Sequence, residues 1–190
     1  MIKILGGERR GAHLETLEGN DTRPLRARIR QALFNIIRPR LAGSVVWDCF
    51  SGSGAAGLEA LSNGAAKAVL IDANPKAVAV IQRNVRKLRY EAQTCVLTGE
   101  LPGALRLVPP SHTPPDLILV MPPYFSGLGL DVLQALGEKS AALRKNPLVM
   151  LELHQTESVT SPAGWNMVDR REYGITTLNF FTFNPTLPTD

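Results

Sequence analysis

The chain has 190 residues, 44% of them hydrophobic and 20% charged, so it can bury a core of its own and is too apolar to be disordered throughout. No apolar run reaches the length of a membrane span, the N-terminus lacks the apolar segment of a signal peptide, and two cysteines are too few for a disulfide framework. Three scattered histidines predict no metal site. We therefore expect a single-domain, monomeric protein of the cytoplasm.

The positive charge is concentrated at the N-terminus. Residues 1–40 contain nine Lys and Arg against four Asp and Glu, whereas the remaining 150 residues contain twelve against thirteen. Eight of the nine N-terminal cations are arginine, whose planar guanidinium fits phosphate oxygens and stacks on bases. This distribution favours a nucleic-acid partner, and the alternative is a solvated basic face without a ligand. The candidate phosphate-binding residues are Arg9, Arg10, Arg23, Arg26, Arg28 and Arg30.

The N-terminal 40 residues predict a hairpin followed by a helix. An apolar run at residues 2–5 precedes Gly6-Gly7, which predicts a strand and a turn, and a second strand follows Arg9-Arg10-Gly11. A helix begins at Arg23-Pro24, because proline is tolerated in a first turn, and Pro39 ends it. Arg26 and Arg30 lie one turn apart on this helix and so share one face.

From residue 44 the sequence alternates apolar runs with amphipathic stretches. The runs predict strands at 45–50, 68–71, 94–97, 117–120 and 147–153, and a terminal strand pair at 165–171 and 176–183. Helices are predicted at 54–62, from Pro75 to Leu88, at 101–107 and at 128–143, and the prolines between 109 and 115 predict an exposed loop. Strands that lack polar alternation and are separated by helices indicate an α/β fold with a parallel sheet covered on both faces.

A glycine-rich turn follows the first of these strands. The strand ends in Asp48 and is followed by Gly52-Ser53-Gly54-Ala55-Ala56-Gly57, the pattern of a nucleotide-binding strand–turn–helix. Asp72 ends the second strand, where a carboxylate binds the ribose hydroxyls of either a nicotinamide nucleotide or S-adenosylmethionine. Asp48 distinguishes the two, because a carboxylate there repels a pyrophosphate and suits the methionyl ammonium. Alternatively, Asp48 merely caps the following turn.

These features predict S-adenosylmethionine rather than NAD as the cofactor. Glu100, near the end of the third strand, is expected to accept a hydrogen bond from the adenine amine. The candidate cofactor-binding residues are Asp48, Phe50, Ser51, Gly52, Ser53, Gly54, Asp72, Ala73 and Glu100.

The fourth strand is followed by Met121-Pro122-Pro123-Tyr124, which resembles the (Asp/Asn/Ser)-Pro-Pro-(Tyr/Phe) loop of amino-group methyltransferases. An exocyclic purine amine is a poor nucleophile, so this loop supplies acceptors that hold its hydrogens and align its nitrogen with the methyl group. One acceptor is the carbonyl of Pro122, the other is the side chain before it, and Tyr124 stacks on the flipped-out base. Without the glycine turn, the same four residues would be an ordinary turn. Met121, Pro122, Pro123 and Tyr124 are the candidate catalytic residues.

Together the motifs resemble the RsmD family, which methylates a guanine N2 of small-subunit (16S) ribosomal RNA. The segments that carry the resemblance are 7–11, Arg23-Pro24, 30–35, 48–60, Pro122-Pro123-Tyr124, and Tyr173-Gly174 with Thr176. The resemblance implies a Rossmann-like sheet of seven strands with the last one antiparallel, and ribosomal RNA or the small subunit as partner. It further implies one methyltransferase domain: an RNA-binding extension at 1–40, a core at 44–183 and a tail at 184–190.

The chain departs from the family pattern mainly on the nucleobase side. Met121 stands where the family usually has Asp, Leu25-Arg26-Ala27 replaces a usual Thr-Thr-Asp, and Gln31 replaces a usual Glu. Two alternatives therefore stay open: a catalytically weak RNA-binding homologue, and a methyltransferase acting on DNA adenine or on protein glutamine. A cytosine-C5 mechanism needs a cysteine nucleophile, but Cys49 and Cys95 are expected to pack in the core.

Overall fold

The computed structural model describes residues 2–17, 24–138, 143 and 147–184, and for residues 24–26 the backbone alone. The strands are β1 (Ile2–Lys3), β2 (His13–Leu14), β3 (Val45–Cys49), β4 (Lys67–Asp72), β5 (Thr94–Thr98), β6 (Leu117–Val120), β7 (Leu148–His154), β8 (Trp165–Tyr173) and β9 (Thr176–Phe183). The α-helices are α1 (Pro24–Ile37), α2 (Ala55–Ser62), α3 (Pro75–Leu88) and α4 (Leu128–Glu138). None of the helices in these ranges combines the length and apolar character needed to cross a membrane.

Seven strands form one sheet in the order β5-β4-β3-β6-β7-β9-β8. The first five are mutually parallel, and β9 runs antiparallel to both of its neighbours, β7 and β8. The predicted Rossmann-like α/β sheet with an antiparallel last strand is therefore confirmed. Because the chain order reverses between β3 and β6, ligands are expected at the carboxyl ends of these two strands.

Side chains alternate between two apolar cores, one on each face of the sheet. On β3, Val46 joins the core formed with α1, α2 and α3, whereas Trp47 and Cys49 join the core formed with α4. The same alternation continues on β6 and β7. Both faces are covered, which explains why these strands are almost continuously apolar in sequence.

Most predicted boundaries agree with the structure to within two residues, and the differences have local causes. Helix α1 ends at Ile37 and continues as a 3-10 turn at Arg38–Arg40 that contains Pro39. The predicted helix at 101–107 is a 3-10 turn, Gly103–Leu107. Helix α4 ends at Glu138, and the rest of its predicted length to residue 142 lies outside the described residues.

The prediction of an exposed loop at 109–115 was wrong in part. His112 is only 9% exposed, and its carbonyl accepts a hydrogen bond of 2.9 Å from the indole Nε1 of Trp47. The buried indole nitrogen needs an acceptor, and the loop supplies it by packing against Trp47 of β3.

Glu59 of α2 attaches the N-terminal hairpin to the core. Its carboxylate accepts hydrogen bonds from the backbone of Leu5 (2.8 Å) and Gly6 (2.6 Å), and the Nε of Arg30 lies 3.7 Å from it. Burial raises the pKa of Glu59, and the Leu5 amide and the charge of Arg30 oppose that rise. The hairpin, α1 and α2 are therefore joined at one buried carboxylate.

The turn of the hairpin lies directly against the end of α2. Gly7 has a φ of +76°, and a Cβ on it would lie 1.7 Å from the carbonyl oxygen of Ser62, so only glycine fits. The Ser62 hydroxyl donates to the carbonyl of Gly6 (2.6 Å) and accepts from the amide of Arg9 (2.9 Å). These contacts fix the turn that carries Arg9 and Arg10 relative to α2.

Candidate active site

Two loops lie side by side at the carboxyl ends of the central strands β3 and β6. They are the glycine loop, residues 50–57, and the Pro-Pro-Tyr loop, residues 121–127. They follow β3 and β6, which are paired strands with Cys49 opposite Val120. The amide of Met121 donates to the carbonyl of Cys49 at 3.4 Å. The structure thus brings together two motifs that are about 70 residues apart in sequence.

The glycine loop needs left-handed backbone at three positions. Phe50, Gly52 and Gly54 have φ values of +65°, +58° and +78°. Ser51 holds the loop to the sheet, because its hydroxyl donates to the carbonyl of Asp48 (2.6 Å) and accepts from the amide of Ile71 (3.0 Å). A residue such as Phe50 adopts this conformation at a cost, and strain of this kind concentrates at functional sites.

Asp48 is fully buried beneath this loop. Its Oδ2 accepts a hydrogen bond of 2.8 Å from the amide of Gly57, while Oδ1 is buried and has no hydrogen-bond partner. Burial raises its pKa to about 7, and the hydrogen bond from the Gly57 amide opposes the rise. One oxygen therefore stabilises the turn, as the capping alternative supposed, and the other remains unpartnered.

Gly57 makes the close packing of α2 on the sheet possible. A Cβ at this position would lie 2.3 Å from Leu70 and 3.3 Å from the Cβ of Asp48. Without a side chain at Gly57, the start of α2 can approach β3 closely enough for its amide to reach the Asp48 carboxylate.

Asp72 connects the neighbouring strand end to the same loop. One carboxylate oxygen accepts from the amide of Gly52 and the other from the amide of Asn74, both at 2.8 Å. Ala73 and Glu100 are exposed just after β4 and β5, so these two predicted adenosine-binding residues are accessible to a ligand.

Asn84 of α3 links the glycine loop to the N-terminal segment, a contact that the sequence did not reveal. Its side chain is fully buried. The amide nitrogen donates to the carbonyls of Glu15 (3.0 Å) and Ser53 (2.9 Å), and Oδ1 accepts from the amide of Glu15 (2.8 Å). One side chain thus fixes both the exit of the hairpin and the middle of the glycine loop.

Replacing Asn84 by Ala is expected to lower the free energy of unfolding by about 2 kcal/mol, because it removes three hydrogen bonds that the buried amide makes to the backbone of Glu15 and Ser53. The melting temperature should fall by about 6 °C for a chain of this size. Differential scanning fluorimetry measures the loss, and Gln82→Ala, an exposed position on the same helix, is the matched control. Equal stability of the two variants would contradict the structural role of Asn84.

The Pro-Pro-Tyr loop is held in place at both ends. Pro122 is buried, and the carbonyl of Pro123 accepts from the hydroxyl of Ser126 at 2.7 Å. The Tyr124 hydroxyl donates to Glu152 at 3.1 Å and lies 2.6 Å from the hydroxyl of Thr176. The ring of Tyr124 is therefore positioned by β7 and β9, the two strands that follow β6 in the sheet order.

Three residues around Tyr124 were not predicted from the sequence. Phe125 is 67% exposed, and its ring centroid lies 4.9 Å from that of His154, which is in turn 5.6 Å from that of Tyr124. Glu157 accepts from the backbone amides of Phe125 (3.0 Å) and His154 (2.8 Å). The consecutive aromatics Tyr124-Phe125 were the available signal, whereas His154, which has no evident partner in sequence, gains its neighbours only in the fold.

The predicted phosphate-binding arginines divide into three groups. Arg10 and Arg28 are exposed. Arg9 is half-buried, with its guanidinium 5.6 Å from the ring centroid of Tyr90, and Arg30 donates to the carbonyl of Lys3 (2.7 Å) beside Glu59. This placement gives Arg30 a structural contact. Arg23 and the side chain of Arg26 lie outside the described residues.

Comparison with known proteins identifies the family. A family described as conserved hypothetical protein 95 matches residues 2–182. The chain belongs to this family, the RsmD family. Ribosomal RNA small subunit methyltransferase D from Escherichia coli K12 is 32% identical over 167 residues, 87% of this chain and 82% of the relative. The protein of the same name from Haemophilus influenzae is 24% identical over 180 residues, 95% of this chain and 93% of the relative.

Solved structures agree with this assignment. The structure of the Escherichia coli protein yhhF is similar with a TM-score of 0.80 at 30% identity, over 96% of this chain and 98% of that one. SMU.776, solved with SAH, shares the fold with a TM-score of 0.60 at 14% identity, over 78% of this chain and 49% of that one. The RsmD-family chain therefore has the Rossmann-like fold of S-adenosylmethionine-dependent methyltransferases.

Two features of this RsmD-family chain bear on its chemistry. Met121, in place of the usual acid, is half-buried and packs against the apolar core, and a thioether is at best a weak hydrogen-bond acceptor. Burial raises the pKa values of the thiols of Cys49 and Cys95, so neither is suited to form a nucleophilic thiolate at neutral pH.

Proposed function

We propose that the chain transfers a methyl group from S-adenosylmethionine to the N2 amine of a guanine in small-subunit ribosomal RNA. The observation that carries the proposal is the juxtaposition of the glycine loop and the Pro-Pro-Tyr loop at the carboxyl ends of β3 and β6. Membership of the RsmD family supports ribosomal RNA as the substrate.

The residues at the ends of β3 and β4 fit S-adenosylmethionine. Asp48 places a buried carboxylate, with one unpartnered oxygen, directly before the glycine turn, which favours a cationic methionyl ammonium over a phosphate. Asp72 lies where ribose hydroxyls bind in this fold, and the exposed Glu100 is an acceptor for the adenine amine. When bound, S-adenosylmethionine supplies an electrophilic methyl group on a sulfonium.

The Pro-Pro-Tyr loop aligns the guanine amine for attack on that methyl group. The carbonyl of Pro122 accepts one amine hydrogen and Tyr124 stacks on the base, which holds the nitrogen in line. No general base is required, because the nitrogen becomes strongly acidic once it is methylated and then loses its proton to water. The buried Pro122 and the anchored Tyr124 hydroxyl keep this geometry fixed.

The exposed arginines on the hairpin and α1 bind RNA phosphates. In the double variant Arg10→Glu/Arg28→Glu, the slope of log affinity against log salt for single-stranded RNA should become shallower by about 1.4, since each phosphate contact contributes about 0.7. Fluorescence anisotropy across a salt series measures the slope. Arg170→Glu, at an exposed position on edge strand β8, is the control, and a double variant with the wild-type slope would place the RNA elsewhere.

A second candidate is an RNA-binding homologue with little catalytic activity, and Met121 is the observation that favours it. The side chain packs against the core and supplies no strong acceptor for the second amine hydrogen. Such a protein would retain S-adenosylmethionine and RNA binding but turn over slowly.

The substrate class is tested by offering one enzyme preparation three acceptors with methyl-labelled S-adenosylmethionine. These are undermethylated small-subunit RNA, duplex DNA and a protein glutamine substrate. We expect label in the RNA alone. Label in DNA or protein would establish the amino-methyltransferase alternatives, and binding of both ligands without transfer would establish the second candidate.

A further inference from the structure

Phe125 combines two features that cost stability. At 67% it is the most exposed of the exposed large hydrophobic side chains in the described part of the chain. Its backbone is left-handed, with a φ of +60°, a conformation that disfavours a bulky L residue. The turn itself does not require phenylalanine, because glycine or asparagine adopts a positive φ with less strain and exposes no large apolar side chain.

Hydrogen bonds to the carboxylate of Glu157 stabilise the backbone conformation of Phe125. Its amide donates to Oε1 of Glu157 at 3.0 Å, and Oε2 of the same carboxylate accepts from the amide of His154 at 2.8 Å. Among the other described non-glycine residues, positive φ occurs only at Arg89, which ends α3, and at Phe50 in the glycine loop. The two phenylalanines thus occupy strained positions in the two loops that form the candidate active site, where such strain indicates function.

The ring of Phe125 has two aromatic neighbours. It packs at 4.9 Å and 45° against His154 and at 6.5 Å and 79° against Tyr124. The Tyr124 hydroxyl is itself anchored to Glu152 and Thr176. Tyr124 is therefore a fixed wall of the site, while Phe125 projects into solvent beside it.

We propose that Phe125 stacks on the unpaired base next to the target guanine. This inference rests on the proposed function, in which the target base is received at Tyr124. Single-stranded RNA is recognised mainly through splayed bases that stack on aromatic side chains, and such stacking tolerates any base. Phe125 then selects unpaired RNA at the flanking nucleotide without reading its sequence.

A single aromatic fits a base better than it fits a protein partner. The exposed residues next to Phe125 in sequence are Pro123, Ser126 and Gly127, and none of them adds the large apolar side chains that mark a protein interface. An exposed ring on a chain whose N-terminal segment is rich in arginine matches the pattern of single-strand binding, in which stacking is combined with phosphate contacts.

The test measures equilibrium binding of labelled single-stranded and duplex RNA by fluorescence anisotropy. Phe125→Ala should weaken single-strand binding about 5- to 150-fold and leave duplex binding unchanged, while Phe125→Trp should keep single-strand affinity within about threefold. Leu107→Ala, at another exposed apolar side chain (57%), is the control and should change neither.

Phe125→Gly separates a stacking role from a structural one. Glycine accepts the positive φ without strain, so the melting temperature should be no lower than that of the wild type, while single-strand affinity falls as in Phe125→Ala. If Phe125→Ala binds single-stranded RNA within twofold of the wild type, the inference is wrong, even if the enzyme methylates guanine. If single-strand binding depends on Phe125 but no methyl is transferred, Phe125 still stacks on an unpaired base, whereas the proposed methyl transfer fails.

Discussion

Replacing Met121 by Asp should raise the turnover number for methyl transfer to RNA by about 100- to 1000-fold. That is the range by which a preorganised polar partner at a reacting centre typically changes the rate. The aspartate carboxylate would accept the second amine hydrogen, opposite the Pro122 carbonyl, and align the nitrogen. The affinity for S-adenosylmethionine should stay within about threefold, since the change lies outside the glycine loop.

Two further substitutions at the same position make the result specific. Met121→Asn restores an acceptor without a charge and should give an intermediate gain. Met121→Leu keeps the apolar volume and should leave turnover unchanged. Single-turnover measurements at saturating RNA separate chemistry from binding. If Met121→Asp and Met121→Leu behave alike, the side chain before the prolines does not limit this enzyme. Activity in Met121→Asp alone would identify the wild type as the catalytically weak homologue.

Asp48→Asn should stabilise the free protein at pH 8 while weakening its binding of S-adenosylmethionine. Burial raises the pKa of Asp48 to about 7, above the value near 4 expected in the unfolded chain. Its proton therefore contributes stability that is fully present below about pH 4 and is lost as the pH rises through 7. At pH 8 the buried, ionised carboxylate lowers the free energy of unfolding by about 4 kcal/mol. Asn removes this charge but buries an amide group without a partner, which costs about 2 kcal/mol, so the variant should be more stable by about 2 kcal/mol.

In the proposed function, the ionised carboxylate of Asp48 is the form that attracts the methionyl ammonium. Wild-type affinity for S-adenosylmethionine should fall as the pH drops below 7, because Asp48 becomes protonated. Asp48→Asn should remove this pH dependence, and its affinity at pH 7.5 should be about 10- to 100-fold lower than that of the wild type. Calorimetric titrations from pH 5.5 to 8, with thermal melts of the free proteins, measure both effects. Asp72→Asn is the comparison, because it lies in the same site. If Asp48→Asn is less stable than the wild type and binds S-adenosylmethionine with unchanged affinity, then Asp48 only stabilises the turn.

The sequence predicted the elements whose determinants are local. Continuous apolar runs such as 117–120 identify buried parallel strands, and Asn74-Pro75 identifies a helix start whose side-chain cap the structure confirms. Gly7 could be placed in a turn, but the reason that it must be glycine, the carbonyl of Ser62, depends on a contact between distant segments.

The contacts that join distant segments were not predictable from spacing. Helical periodicity places Arg26 and Arg30 on one face, but it does not show that Glu59 and the Lys3 carbonyl meet Arg30 there. The same holds for Asn84, whose partners are Glu15 and Ser53. Asn84 is the one polar residue among the buried residues of α3, and the sequence does not indicate which backbone groups it binds.

Identification of the methylated nucleoside tests the central claim most directly. Undermethylated small-subunit RNA is incubated with the enzyme and methyl-labelled S-adenosylmethionine, digested to nucleosides and separated by chromatography with mass detection. The proposed function predicts N2-methylguanosine as the labelled product. Label in another nucleoside, or at another atom of guanosine, would contradict it.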